Sequence, residues 1–143
     1  PMEGERISVL ELQRTLEPDS AALEAQGFVA PQSWQNDFWP QNGGYPNHAM
    51  QHLSLSDQPL QKIWRSDIGE GSKAGIPLVS PPILVDGKIF TIDTESSLRA
   101  FDAKSGKTLW EMDIAPDNED SSVIAGGVAY SQGRLYVTSG FSE

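Results

Sequence analysis

The chain has 143 residues, 38% of them hydrophobic, with 10 Lys+Arg against 20 Asp+Glu and a formal net charge of −10 at pH 7. That acidity excludes a phosphate-backbone binder, which needs a cationic face, and no uninterrupted apolar run approaches the ~20 residues of a spanning helix. The absence of cysteine excludes disulfides, thiolate metal ligands and a cysteine nucleophile, while 13 Gly and 10 Pro favour a turn-rich, β-leaning fold.

The first 45 residues carry seven acids and two bases, Arg6 and Arg14, and Pro1, Pro18, Pro31 and Pro40 cut them into pieces too short to own a core. Ile7, Val9, Leu10, Leu12 and Leu16 predict a short helix from about Arg6 to Leu16, which Glu17-Pro18 stops. Asp19-Ser20 can cap a further helical turn at Ala21-Ala22-Leu23-Glu24. Residues 1–58 therefore read as an irregular, partly helical leader, and residues 59–143 as strand and turn.

Gln61 to Ile68 places β-formers among polar residues. Strands are expected over 79–85 and 88–94, joined at Asp86-Gly87, a pair suited to the positive φ angles of a type I′ hairpin turn. Strands over 97–101 and 107–114 follow, joined through Asp102-Ala103-Lys104-Ser105-Gly106. Four consecutive antiparallel strands result. A second set opens with 123–131 and 134–138, around Gln132-Gly133.

Two independent anchors repeat at one spacing. Trp64-Arg65-Ser66-Asp67-Ile68 recurs 46 residues on as Trp110-Glu111-Met112-Asp113-Ile114, and Asp86-Gly87-Lys88-Ile89-Phe90 recurs at the same offset as Gln132-Gly133-Arg134-Leu135-Tyr136. A period of ~40–50 residues with four short strands per unit is the signature of a β-propeller blade. The expected fold class is all-β: a partial propeller of about one and a half four-stranded antiparallel blades. On this reading the 143 residues are a fraction of a larger ring.

Ala100-Phe101-Asp102-Ala103-Lys104-Ser105-Gly106-Lys107-Thr108-Leu109-Trp110 resembles the tryptophan-docking motif of the pyrroloquinoline-quinone (PQQ) propeller superfamily, A-x-D-x-x-T-G-x-x-x-W, with Ser105 in place of Thr. Asp102 and Ser105 can bond turn amides, Gly106 supplies positive φ, and Trp110 offers a flat ring to a neighbouring blade. These roles are structural, so Ala100, Asp102, Ser105, Gly106, Trp110 and Trp64 are read as blade-docking residues. No catalytic, cofactor-binding or metal-binding residue is assigned. Trp64 to Gly71, Pro81 to Phe90 and the docking motif resemble the opening blade of the BamB family, propeller lipoproteins of the outer-membrane β-barrel assembly machinery. Arg6 to Glu11 and Phe38 to Asn47 are similar to the mature N-terminus of its alphaproteobacterial members.

The resemblance implies an eight-bladed PQQ-like ring in the periplasm of a Gram-negative bacterium, associated with the outer membrane through a lipid anchor absent from these residues. It implies contact with the periplasmic domains of BamA, with other assembly components and with unfolded outer-membrane proteins, and no nucleic acid partner. It also implies that the strand carrying Trp64 completes the last blade, so residues 60–68 are expected not to pair beside 107–114. The alternative is a PQQ-dependent dehydrogenase, which shares the blade motif but also requires calcium carboxylates and a catalytic Asp. Without those residues the expectation is a non-enzymatic scaffold with no cofactor.

Three other motifs have plainer readings. Gly69-Glu70-Gly71-Ser72-Lys73-Ala74-Gly75 fails the spacing of a phosphate-binding loop and reads as a connection between strands. His48 and His52 stand at i, i+4 without a helix signal and read as surface histidines rather than metal ligands. The acid run Glu111, Asp113, Asp117, Glu119 and Asp120 lacks the order of a calcium loop and reads as a solvated face.

Overall fold

A computed structural model describes residues 21, 24, 25, 27, 29–117 and 126–140. The chain divides into two compact units, Pro1–Gln32 and Ser33–Glu143. The helix expected over Arg6 to Leu16 lies outside the described residues. Ala21, Glu24 and Ala25 have helical backbone, where Asp19-Ser20 is read as the cap.

Six strands lie among the described residues of the second unit. They are β1 (Ile83–Val85), β2 (Lys88–Ile92), β3 (Ser97–Asp102), β4 (Thr108–Asp113), β5 (Gly127–Ser131) and β6 (Arg134–Thr138). The first four form one antiparallel sheet in chain order, and β5 and β6 form a second sheet of two. The described residues are thus all-β with almost no helix. Asp86 and Gly87 turn β1 into β2 at φ 49° and 69°, and Gln132 and Gly133 turn β5 into β6 at 48° and 79°. Both pairs have the positive φ that type I′ turns demand, which matches the right-handed twist of the strands they join.

Several strands are shorter than expected. The first spans 83–85 rather than 79–85, because Pro81 and Pro82 have no N–H to donate to a ladder. The second ends at Ile92 rather than 94, because the Asp93 carboxylate bonds nearby amides and bends the chain. The fourth covers 108–113 rather than 107–114. The fifth starts at Gly127 among the described residues, residues 118–125 lying outside them. Residues 60–68 form no strand, and β4 pairs only with β3 among the described residues.

The core lies between the two sheets. Ile83, Val85, Phe90, Ile92, Leu98 and Ala100 from the larger sheet are buried with Val128 of β5, and Phe38, Tyr130, Leu135 and Val137 pack against them. Burying each large apolar side chain contributes about 1.5–3 kcal/mol. That term holds the two-stranded hairpin in place, since a lone hairpin is marginal in water. Among the described residues β5 approaches β1 and β2 but not β3 or β4. The second sheet therefore packs by β5 against β1 and β2, and β4, exposed at every position, is the far edge.

Candidate functional site

The turn between β3 and β4 is organised by one carboxylate. Asp102 Oδ1 accepts hydrogen bonds from the Ser105 amide (2.8 Å), the Ser105 hydroxyl (2.7 Å) and the Lys104 amide (3.2 Å). Main-chain bonds from Gly106 N to Asp102 O (2.8 Å) and from Asp102 N to Lys107 O (2.9 Å) close the loop. The Ser105 hydroxyl and amide hold the Asp102 carboxyl below its ordinary range. Ser105 thus supplies the hydroxyl that Thr supplies in the motif it resembles.

This turn carries an indole on its back. Trp64 Nε1 donates to Ala103 O at 3.0 Å, and the Ser66 hydroxyl donates to Gly106 O. Gly106 is buried at φ 71°, and a Cβ there would lie 2.6 Å from the Trp64 ring. Only glycine fits. Ala100, fully buried, faces Trp110 across the ladder, and a register shift at Ala100/Phe101 accommodates the approach. Trp110 tilts onto Phe90 with centroids 5.8 Å apart, yet is 37% exposed.

A second node fixes residues 68–71 to the same sheet. Asp93 is 1% exposed; its Oδ1 accepts from the amides of Glu95 (2.9 Å) and Ser97 (2.8 Å). Its Oδ2 accepts from the amide of Glu70 (3.0 Å) and from Arg99 Nη1 (2.9 Å). Burial pushes its pKa up, but the amides of Ser97, Glu70 and Glu95 together with the Arg99 guanidinium outweigh it and hold it below the ordinary value. Burial likewise opposes the Arg99 charge, but Glu111 and Asp93 outweigh it and raise its pKa. Arg99 also donates to Ile68 O and, at 2.7 Å, to Glu111 Oε1. A Cβ at Gly69 would collide with Arg99 and Asp93, so this glycine of the connection between strands is a close-packing position. Neither Asp93 nor Arg99 belongs to a motif visible in the sequence. Asp followed by Thr94, Ser96 and Ser97 is a weak turn signal, and nothing in it marks burial.

The remaining candidates stay on the surface. His48 and His52 are exposed, and among the described residues no three His, Cys, Asp or Glu side chains converge on a point that could hold a metal ion. The shallow acidic depression beside the node is lined by Glu70, Asp93, Glu95, Arg99, Glu111 and Asp113. Its best-placed carboxylates are already engaged by Arg99 and by backbone amides. A flat quinone with its calcium ion needs a free carboxylate set, and the described residues of this depression do not fit that group.

Residues 94–143 match the family model for outer membrane protein assembly factor BamB. The match spans β3 to β6, including the docking turn, and leaves out Trp64. A protein of that name from Kangiella koreensis is 33% identical over 78 residues, covering 54% of this chain and 18% of that protein. An uncharacterized protein of Rickettsia prowazekii is 28% identical over 69 residues, covering 48% and 16%. A 1-butanol dehydrogenase (cytochrome c) of Thauera butanivorans is 27% identical over 122 residues, covering 82% and 17%. The chain thus spans less than a fifth of the length of each of these curated relatives. The similarity is to the PQQ-like and BamB superfamily, within which both names occur.

Proposed function

We propose that this chain is part of a closed β-propeller that acts as a non-enzymatic scaffold in outer-membrane β-barrel assembly, of the alphaproteobacterial type. The observation that carries this reading is the clamp of Trp64 on the Asp102–Gly106 turn. An indole arriving from outside the β1–β4 meander, on a segment with no ladder to β4, is what one blade offers to the next. Residues 60–68 would then be the outer strand of the blade that closes the ring. In the assembled ring Trp110 would clamp the corresponding turn of the following blade.

Such a body works by offering surface. It would sit in the periplasm at the outer membrane, binding the periplasmic domains of BamA and holding unfolded barrel strands by edge pairing or loop docking. The complete polypeptide carrying these residues should be retained on immobilised periplasmic domains of BamA. No retention would count against the scaffold.

A second reading is a PQQ-dependent dehydrogenase, favoured by the 122-residue similarity to the butanol dehydrogenase. Loading the complete polypeptide with PQQ and calcium and assaying dye reduction with primary alcohols separates the two. The scaffold predicts no turnover.

A further inference from the structure

The aromatic stretch from Trp34 to Tyr45 is neither a strand of either sheet nor part of the docking clamp. Its position is nonetheless closely specified. Trp39 N donates to Leu84 O at 2.6 Å and Leu84 N donates to Trp39 O at 2.9 Å, so Trp39 pairs with the free edge of β1. One residue on, Pro40 O accepts from Tyr130 N of β5 at 2.7 Å. Two consecutive residues therefore satisfy the facing edges of two different sheets.

Side chains hold the segment there. Phe38 packs on the core, edge-on to Tyr130 at 6.1 Å and 83°, and its own amide donates to Asn36 Oδ1 at 3.0 Å. Pro40 is buried. Tyr45 lies against Phe38 at 6.2 Å and stacks on Trp34 at 6.3 Å. The ends of the excursion are tied, since Trp34 N donates to His52 O and Ser54 N donates to Trp34 O. Residues 34–53 thus form a closed loop with its Phe38–Gln41 limb laid across β1 and β5.

Those two edges lie on the side where β5 packs against β1 and β2, while β4 lies at the far side. In a propeller the convergent strands face the central axis. We propose that Phe38-Trp39-Pro40-Gln41 is a built-in plug that closes the axial channel of the ring to small molecules, including flat aromatic cofactors. The plug rests on the propeller reading and deepens it: the unpaired amides of the inner edges are capped by the chain itself, and the axis holds polypeptide in place of a ligand. Pro40 suits the task because it leaves no N–H of its own unsatisfied in the crevice.

The test uses the complete polypeptide in three measurements. Small-angle scattering reports whether the ring is closed. A neutral gadolinium chelate, added to the isotope-labelled protein, reports which backbone amides a small solute reaches. Hydrogen exchange is then compared with the variant Phe38→Ser/Trp39→Pro, which removes the anchoring ring and the Trp39 N–H. The plug predicts a closed ring, Leu84 and Tyr130 amides as unbroadened as the core amide of Ala100, and at least tenfold faster exchange at Leu84 and Tyr130 in the variant. Ala100 should keep its protection. A closed ring in which the chelate broadens Leu84 and Tyr130 as strongly as the exposed Lys104 overturns the plug and leaves the propeller standing. An open or elongated shape overturns the propeller, and the plug with it. The chelate measurement needs no variant, so it decides even if the substituted protein fails to fold.

Discussion

Trp64 and Trp110 occupy equivalent places in the 46-residue repeat and have different partners. Trp64 is half-buried, its ring over Gly106 and its N–H bonded to Ala103, whereas Trp110 presents more than a third of its surface to solvent with Phe90 behind it. The two segments differ less in sequence than in what lies opposite them. A repeat supplies an indole at one end and a turn that receives an indole at the other, and the energy appears only when the two halves come from different repeats.

The contrast can be broken at the receiving side first. Asp93→Ala removes four hydrogen-bond acceptances and leaves the amides of Glu70, Glu95 and Ser97 without their acceptor, while Arg99 keeps Glu111 and Ile68 O, so urea unfolding should show a loss of about 3 kcal/mol. Gly106→Ala forces a Cβ against the Trp64 ring at positive φ, with an expected loss of about 3 kcal/mol from overpacking and backbone strain together. Trp64→Ala should cost about 2 kcal/mol, below the range for fully buried aromatics because the ring is partly exposed, the loss including its bond to Ala103 and its contact with Gly106. Trp110→Ala in the chain of 143 residues should cost less than about 1 kcal/mol, in line with an exposed site. Equal losses for the two tryptophans would erase the distinction.

Acid sharpens the same comparison. Because the folded-state pKa of Asp93 lies below its ordinary value of 3.8, its stabilisation is complete above that value and is lost as pH falls through the depressed one. Asp102 and Glu111, both also lowered, act in the same direction. Unfolding followed by tryptophan fluorescence should therefore show stability declining below about pH 4, with a smaller decline in Asp93→Asn.

Much of the β architecture was legible because its signals are local. Asp86-Gly87 announces its turn, the Asp102 to Gly106 stretch carries its own bonding groups, and the 46-residue offset aligns the two hairpins. The strand ends were less legible. Residues 79–82 have strand-like neighbours, yet Pro81-Pro82 removes two donors. Gln61 to Ile68 has the composition of a strand but finds no ladder partner among the described residues, because pairing is a property of two segments. Least legible were Asp93 and the Phe38–Gln41 limb. A carboxylate reads as surface until the amides that surround it are known, and an aromatic run among Pro and Gly reads as leader until an edge is found for it to cover.

The side-chain bonds of Asp102 span three residues or fewer, while the Trp64–Ala103 bond spans 39. Loop-closure entropy therefore lets the meander form early and makes the clamp wait. A chain emerging N-terminus first exposes its indole for some forty residues of synthesis before the receiving turn exists. During that interval Trp64 is open to any other hydrophobic surface, and the order of emergence, more than the strength of the final contact, decides which surface it meets.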